Sequence, residues 1–195
     1  DLPRSRGLGD VYKRQLRADY LKENMESDIN PTDQHVDQVW DTPSHSEIVE
    51  LTKAHVEAME MTNDDVVWVQ AGMHHVLLTT IGRKTGKEHK VALPTWKNQD
   101  GDRIVVASFA GATANPSWFI NLKDKQANPK VKVQIQNGKY WSDAQILDSD
   151  ERDKTWQRLC ADRAWYETYQ GKTDRVIPLV KLPVTEQLSL IHISE

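Results

Sequence analysis

The sequence has almost no cysteine and no long hydrophobic run. Cys160 is the single thiol in 195 residues, which excludes an intramolecular disulfide and a metal site built from several thiolates. No apolar stretch approaches the roughly 18–20 residues that cross a bilayer. Basic residues are fewer than acidic ones, 25 against 29, which argues against general nucleic-acid binding. We therefore expect one folded domain and, since no secretory signal pattern is present, a cytoplasmic location.

The two ends of the chain are related at the level of codons. Residues 8–15 (LGDVYKRQ) and 188–195 (LSLIHISE) translate opposite strands of one DNA element when one allowed set of codons is chosen. That element resembles a transposase adapter used in sequencing libraries. We therefore expect residues 1–15 and 188–195 to be non-native tails, with residues 5–15 and 188–195 poorly packed, and leave both tails out of the fold prediction.

Residues 16–62 predict a polar lead-in followed by a helix. Ser46 is expected to cap a helix over residues 47–61, in which Val49, Val56 and Met59 recur at helical spacing. The opposite face carries four glutamates and one lysine. Such an acidic face is not expected to bind an anionic lipid surface.

Residues 63–187 predict the folded domain. Helices are predicted over residues 116–125, with Asn115 as N-cap, and over residues 149–161. The runs rich in β-branched and apolar residues predict strands over residues 66–69, 76–80, 91–96, 104–109, 131–136, 140–147 and 175–182. Antiparallel hairpins with inserted helices are typical of an α+β fold, either a small barrel or a roll.

Two common kinds of site are excluded by spacing. Residues 82–87 (GRKTGK) are one residue short of a phosphate-binding P-loop, and they join two strands instead of opening a helix. His74 and His75 are neighbours in a predicted strand, so their side chains point to opposite faces and cannot share a metal ion. We predict no metal site.

Two features of the sequence have a structural and a functional interpretation: a cationic turn and a high number of tryptophans. Arg83, Lys84, Lys87 and Lys90 lie within eight residues of an acidic chain. Such a turn is either solvated or a site for a phosphate or carboxylate ligand. The seven tryptophans either fill the core or include some that contact a planar ring. The residues alone leave these alternatives open.

Six segments, in order along residues 67–182, carry a family resemblance: residues 77–86 (LLTTIGRKTG), 93–94 (LP), 101–108 (GDRIVVAS), 115–123 (NPSWFINLK), 127–135 (ANPKVKVQI) and 166–180 (YETYQGKTDRVIPLV). Together they resemble the deazaflavin-dependent nitroreductase and quinone reductase family. The resemblance implies an α+β fold, an antiparallel split β-barrel like that of flavin reductases, with flanking helices. It also implies an oxidoreductase that takes its hydride from reduced coenzyme F420, an 8-hydroxy-5-deazaflavin.

The resemblance further implies which residues bind the cofactor. The cofactor tail carries a phosphate and several glutamates, and the family turn that contacts the phosphate region maps to Arg83, Lys84 and Thr85. The chain departs from the family at Phe109, where a lysine is common, and at Ala110, where a glycine is common. The other implied cofactor-binding residues are Pro94, Val106, Ala107, Ser108, Phe109, Ser117, Trp118, Phe119, Ile120 and Asn121.

The implied catalytic residues are Tyr166, Tyr169 and Ser108. Tyr166 matches a family tyrosine that orients the acceptor or gives it a proton, Tyr169 lies on the same side of a helix, and Ser108 is expected to hydrogen-bond the acceptor or the ring. The implied acceptor is a small molecule: a quinone, which we favour, a nitroaromatic or an unsaturated ketone.

Several functional alternatives stay open at this stage. One is an oxidoreductase that uses flavin mononucleotide on the same barrel, and another is a carrier that binds the deazaflavin without catalysis. A homodimer is compatible with the sequence. A membrane quinone as acceptor would bring the protein to the membrane surface as a peripheral protein.

Overall fold

The structure is a computed structural model that describes residues 34–190. The predictions made for residues 1–33 and 191–195 lie outside the described residues. The helices are α1 (His45–Met61), α2 (Asp65–Trp68), α3 (Ser117–Lys123), α4 (Ser149–Asp162) and α5 (Trp165–Gln170), with one 3-10 turn at Phe109–Gly111. The strands are β1 (Val69–Gln70), β2 (Met73–Ile81), β3 (Glu88–Pro94), β4 (Trp96–Lys97), β5 (Arg103–Val106), β6 (Val131–Ile135), β7 (Gly138–Ser142), β8 (Gln145–Ile146), β9 (Leu179–Leu182) and β10 (Glu186–Leu190).

The strands form two antiparallel sheets. The larger sheet has the order β1–β2–β6–β7–β10, with β3 also paired to β2, and the smaller sheet has the order β4–β5–β9–β8. Only Thr95 separates β3 from β4, so the chain passes directly from one sheet to the other. The two sheets share no strand pair within residues 34–190. The predicted α+β fold, with antiparallel sheets in a split arrangement and flanking helices, is confirmed.

Three hydrophobic clusters hold these layers together. Because side chains alternate along a strand, Leu77 of β2 packs with α1 and α2 on one face, and Leu78 packs between the sheets against Val105 of β5. The third cluster covers the other face of the smaller sheet with α4 and α5, and contains Trp156 and Tyr166. No helix within the described residues is long and apolar enough to cross a membrane.

The first helix starts earlier than predicted. Ser44, not Ser46, is the N-cap: its hydroxyl accepts a hydrogen bond from the backbone N–H of Glu47 at 3.3 Å, and the Glu47 carboxylate accepts from the Ser44 N–H at 2.7 Å. Two donors that a helix end leaves unpaired are satisfied by this reciprocal pair. The helix therefore begins at His45.

Two other predictions of local structure are wrong. Residues 65–68 form helix α2 instead of the predicted strand, and the indole N–H of Trp68 donates to the carbonyl oxygen of Thr62 at 2.8 Å. Helix α3 begins at Ser117 with Pro116 in the cap position, because the Asn115 side chain accepts a hydrogen bond from Arg175 instead of capping the helix.

Strand β10 crosses the predicted tail boundary at residue 187. Gln187 pairs with Tyr140 of β7, and Ser189 pairs with Lys139 after a shift of register. Residues 189 and 190 thus pair with β7 through their backbone, and the expectation of poor packing for residues 188–195 stays a prediction. The physical reason for this pairing is that the free N–H and C=O groups beside β7 pair with any extended segment, whatever side chains it carries.

Candidate functional site

The β2–β3 turn presents cations to solvent. Arg83, Lys84 and Lys87 are exposed, whereas Lys90 forms an ion pair with Glu60 at the end of α1. Within residues 34–190, Lys84 and Lys87 have no carboxylate within ion-pair distance. The turn therefore offers two ammonium groups that are not neutralised by the part of the chain that the structure describes.

The turn is anchored to α3 by two buried asparagines. Nη1 of Arg83 donates to Oδ1 of Asn121 at 2.8 Å, and the Arg83 backbone N–H reaches the same oxygen at 3.4 Å. Asn128 donates to the carbonyl oxygens of Ile81 and Asn121, each at 2.8 Å, and accepts from the Ile81 N–H at 2.7 Å. The guanidinium of Arg83 is thus fixed in place, and the predicted cofactor residues Arg83 and Asn121 are in direct contact.

Gly82 is closely packed inside the same turn. A Cβ on Gly82 would lie 2.6 Å from the Thr85 hydroxyl oxygen and 2.7 Å from Nε2 of His89. The carbonyl oxygen of Gly82 also accepts a hydrogen bond from the Gly86 N–H at 2.8 Å, which closes the turn. Lys84 and Thr85 are exposed, so an anionic ligand can reach them.

The loop between β5 and α3 has a strained backbone. Phe109 and Ala110 have φ values of 43° and 50°, in the left-handed region that residues with a Cβ rarely occupy. Strain of this kind persists only where surrounding contacts impose it, and it clusters at binding sites. Predicted cofactor residues 106–109 lead into this loop.

Arg175 supplies the contacts that impose the loop conformation. Its guanidinium donates to the carbonyl oxygens of Ala107 (3.1 Å), Ser108 (2.8 Å) and Ala112 (2.8 Å) and to the Asn115 side chain (2.8 Å). Burial lowers the pKa of Arg175 from its ordinary value. We did not predict this role for Arg175, although the residue lies inside the family-like segment 166–180. Its four acceptors are about 60 residues distant in sequence, and only the fold brings them together.

Gln170 and Arg152 form a second support behind Arg175. Nε2 of Gln170 donates to the Arg175 carbonyl at 2.7 Å, and its Oε1 accepts from the Ile177 N–H at 2.9 Å and from Arg152 at 3.2 Å. Arg152 also donates to the Ile177 carbonyl. Sequence reasoning missed these roles too: Gln170 lies inside the family-like segment 166–180, but only the fold brings its partners to it.

The two predicted catalytic tyrosines lie on α5 with their rings edge to face, 6.0 Å apart. The Tyr169 hydroxyl is 3.5 Å from the hydroxyl of Thr42. Tyr166 is only 4% exposed, and burial raises the pKa of its phenol even though the neighbouring Arg163 guanidinium opposes this shift. Tyr166 is therefore a neutral phenol at physiological pH.

Arg163 is a buried cation beside Tyr166. It is 3% exposed, burial lowers its pKa, and its Nε has no hydrogen-bond partner among the described residues. The neighbouring Tyr166 and Asp162 oppose this lowering of the Arg163 pKa.

An open pocket of about 670 Å³ adjoins the strained loop. It is lined by residues 42–45, residues 110–114 and Lys172. Gly111 closes one wall, because a Cβ there would lie 2.5 Å from the carbonyl oxygen of Tyr169. The volume is in the range of small-molecule sites. The N-terminal segment 42–45 was not among the predicted site residues, and its polar, irregular sequence gave no signal.

The remaining predicted residues are spread over the layers. Trp118 and Phe119 of α3 are buried in the core between the sheets, Ser117 is exposed and Ile120 half-buried. Pro94 is half-buried and pairs with His75 across β2 and β3. Direct contacts therefore join the β2–β3 turn to α3 and the loop to α5, but Trp118 and Phe119 contribute to packing in this structure.

The buried cysteine and histidine do not form a metal site. Burial raises the pKa of Cys160 to about 12 and lowers that of His75 to about 4. No group of three or more potential metal ligands exists within residues 34–190.

The donor chemistry fits the cofactor that the sequence implied. A tail with a phosphate and several carboxylates requires cations that are not neutralised by the protein itself, and Lys84 and Lys87 meet that requirement. Arg83, held by Asn121, adds a guanidinium of fixed orientation.

Comparisons with known proteins agree with this chemistry. Residues 51–183 match the family described as F420H(2)-dependent quinone reductase. The F420H(2)-dependent quinone reductase Rv1261c of Mycobacterium tuberculosis strain H37Rv is 33% identical over 111 residues, which cover 55% of this chain and 71% of that protein.

Two solved structures are also similar. One, described as a domain-swapped dimer, is 32% identical with a TM-score of 0.51 and covers 72% of this chain and 100% of its own. The other, an F420-H2-dependent reductase (FDR-A), is 36% identical with a TM-score of 0.48 and covers 56% of this chain and 93% of its own. The family match over most of the chain establishes that this protein belongs to the F420H(2)-dependent quinone reductases, oxidoreductases that use reduced coenzyme F420.

Proposed function

We propose that the cofactor tail binds at the β2–β3 turn and that a quinone binds in the pocket beside the strained loop. The observation that carries the proposal is a set of direct contacts that tie predicted site residues to their neighbouring elements. Arg83 bonds Asn121 of α3, and Arg175 bonds both Ser108 and Asn115, which precede α3. The proposed site for the cofactor tail, at the β2–β3 turn, and the proposed acceptor pocket, beside the loop before α3, are therefore both connected to α3 or to the loop that precedes it.

Reduced coenzyme F420, when bound, supplies a hydride from C5 of its deazaflavin ring. The protein contributes position and electrostatics. Arg83, Lys84 and Thr85 would hold the anionic tail, and the backbone of residues 106–109, fixed by Arg175, would line the ring. The pocket walls would exclude water from one side of the acceptor and hold it in a reactive orientation.

Tyr169 and Tyr166 have different places in this proposal. The Tyr169 hydroxyl contacts Thr42, which lines the pocket, so it is the tyrosine nearer to a bound quinone. Neither tyrosine lines the pocket itself, and the Tyr166 ring packs against the ring of Tyr169. We propose that Tyr169 donates a hydrogen bond to the acceptor. The role of Tyr166 on the acceptor stays a prediction, as does that of Ser108.

The two phenylalanine variants test this assignment. Tyr169→Phe and Tyr166→Phe each remove one hydroxyl and retain the ring, so we expect cofactor affinity within about threefold of wild type. If Tyr169 positions the quinone, kcat/KM falls at least about tenfold in Tyr169→Phe. An unchanged kcat/KM would contradict its role. A matching fall in Tyr166→Phe at constant stability would support contact with the acceptor, and a loss of stability alone would make Tyr166 a core residue.

We also propose nitroaromatics and unsaturated ketones as further acceptors, since the pocket is open and its walls carry few charged groups. Turnover with one compound of each class, compared with a quinone, tests this breadth. Absence of turnover with both classes would restrict the enzyme to quinones.

We propose a homodimer that acts in the cytoplasm. The similar structure described as a domain-swapped dimer supports self-association, as do exposed apolar side chains at the α1–α2 corner, Met61 (85% exposed) and Val66 (74%). Light scattering during size-exclusion chromatography tests the assembly, and a monomer at all concentrations would contradict it. Cell fractionation tests the location, and a membrane quinone as acceptor would add a peripheral membrane fraction.

The division into tails 1–15 and 188–195, lead-in 16–62 and domain 63–187 also stays a proposal. The codon relationship between the two ends supports it. A chain limited to residues 25–187 is expected to bind coenzyme F420 within threefold of the full chain, and a loss of binding would show that a removed segment is needed.

A further inference from the structure

We propose that His45 is the residue that protonates the acceptor, a role that rests on the proposed function of the pocket. His45 lines the pocket together with residues 110–114 and Lys172. The class of ligand is a small, planar, neutral molecule with a carbonyl oxygen that becomes basic on reduction. A 1,4-naphthoquinone is such a molecule, and the pocket of about 670 Å³ has room for it.

The position of His45 is fixed from both sides. It is the first residue of α1, directly after Ser44, whose reciprocal hydrogen bonds with Glu47 hold the first helical turn. Its ring centroid is 5.0 Å from that of Phe109. Phe109 is the left-handed residue at which the predicted cofactor segment ends, and Arg175 holds the preceding carbonyl. His45 is therefore placed between the acceptor pocket and the segment expected to line the cofactor.

The charged and titratable groups around His45 are few. Residues 110–114 carry no charged or titratable side chain, and Lys172 lines the same pocket. The Tyr169 hydroxyl contacts Thr42, which also lines the pocket. On α1 itself, the Glu47 carboxylate is occupied by the Ser44 N–H. Imidazole is the side chain that exchanges protons near neutral pH. Since the residue is exposed, solvent can return the proton that His45 gives up.

The step balances in atoms and electrons. A quinone gains two electrons and one hydrogen with the hydride, as the C–H bond of the donor breaks. The N–H bond of protonated His45 breaks as an O–H bond of the hydroquinone forms, and water then reprotonates the imidazole. The second hydrogen lost from the reduced cofactor leaves as a proton to solvent, so that one quinone becomes one hydroquinone. Lys172 would stabilise the negative charge that develops on the quinone oxygen.

The test compares His45→Gln and His45→Ala with the control His35→Gln, which alters an exposed histidine outside the pocket. With menadione as acceptor, we expect kcat to fall about 100-fold in both His45 variants and to stay unchanged in the control. Added imidazole should restore part of the His45→Ala rate.

Two further measurements do not depend on turnover. Oxidised coenzyme F420 should bind the His45 variants within threefold of wild type. Menadione added to the protein without cofactor should shift the NMR signals of the His45 ring and leave those of His35 in place. A wild-type kcat in His45→Gln, or an unshifted His45 ring, would overturn the inference. A wild-type protein that reduced no quinone would instead overturn the proposed function, and this inference with it.

Discussion

Nη2 of Arg175 donates a hydrogen bond to the carbonyl oxygen of Ser108 at 2.8 Å. This bond joins the segment after α5 to the loop that leads into α3, across 67 residues of sequence. The same guanidinium also donates to Ala107, Ala112 and Asn115. One side chain therefore holds the conformation of the predicted cofactor loop.

Arg175→Lys is expected to lower both stability and cofactor affinity. A lysine keeps the charge but cannot reach four acceptors in the fixed geometry of a guanidinium. Hydrogen bonds from charged groups contribute about 1.5–3 kcal/mol, so we expect a loss of about 2 kcal/mol in the free energy of unfolding. Denaturant unfolding and a cofactor titration measure the two effects. Wild-type values in both would show that the loop does not depend on Arg175.

Gly111→Ala tests the close approach of the loop to α5. Its Cβ would lie 2.5 Å from the Tyr169 carbonyl oxygen, and its φ is +78°. Gly101 has a similar φ of +79° with nothing within 4 Å, so Gly101→Ala is a control that has the backbone strain without the clash. We expect about 1 kcal/mol of destabilisation for Gly101→Ala and at least about 2 kcal/mol more for Gly111→Ala. Equal losses would mean that the loop moves away freely.

Arg83→Ala and Lys84→Ala are each expected to weaken the binding of coenzyme F420 by about 1–3 kcal/mol. The losses should shrink at high salt, because exposed charges are screened. Lys154→Ala removes an exposed cation on α4 and is the matched control, with no expected change. Affinities equal to wild type in both turn variants would make the β2–β3 turn a solvated loop with no role in binding.

The pH dependence of stability should carry a contribution from His75. Burial lowers its pKa in the folded state to about 4, from an ordinary value of 6.5. The unfolded chain therefore binds a proton first as the pH falls, and the stabilisation present above about pH 6.5 is lost progressively down to about pH 4. The loss is at most about 3 kcal/mol.

His75→Gln should flatten the unfolding free energy over that range, whatever its effect at pH 7. His35→Gln, at an exposed site, should leave the slope unchanged. A slope in His75→Gln equal to that of wild type would show that His75 is not the titrating group.

The fold class could be predicted from local pattern, because β-branched runs separated by glycine and asparagine turns specify antiparallel hairpins. The cationic turn could also be predicted, since its charges are adjacent in sequence. The contacts of Arg175 could not, because they depend on the fold. The N-cap, in contrast, could have been assigned from the sequence: Ser44 and Ser46 both have cap chemistry, but only Ser44 has a glutamate three residues later.

The residues of the pocket could not be predicted from the sequence either. His45 belongs to a segment with no periodicity, and its neighbour Phe109 is about 60 residues away in sequence. The burial of Tyr166 depends on how α4 and α5 pack on the smaller sheet. Sequence resemblance indicates that such a residue matters to the family, but not which atoms surround it.

An anaerobic single-turnover experiment tests the central claim most directly. Wild-type protein is mixed with a stoichiometric amount of reduced coenzyme F420 and then with menadione, and the absorbance of the oxidised cofactor is followed. A parallel sample receives reduced flavin mononucleotide. The account predicts oxidation of one equivalent of coenzyme F420 with formation of one equivalent of hydroquinone, much faster than without protein. Coenzyme F420 that binds but stays reduced, or a reaction supported by flavin mononucleotide alone, would contradict it.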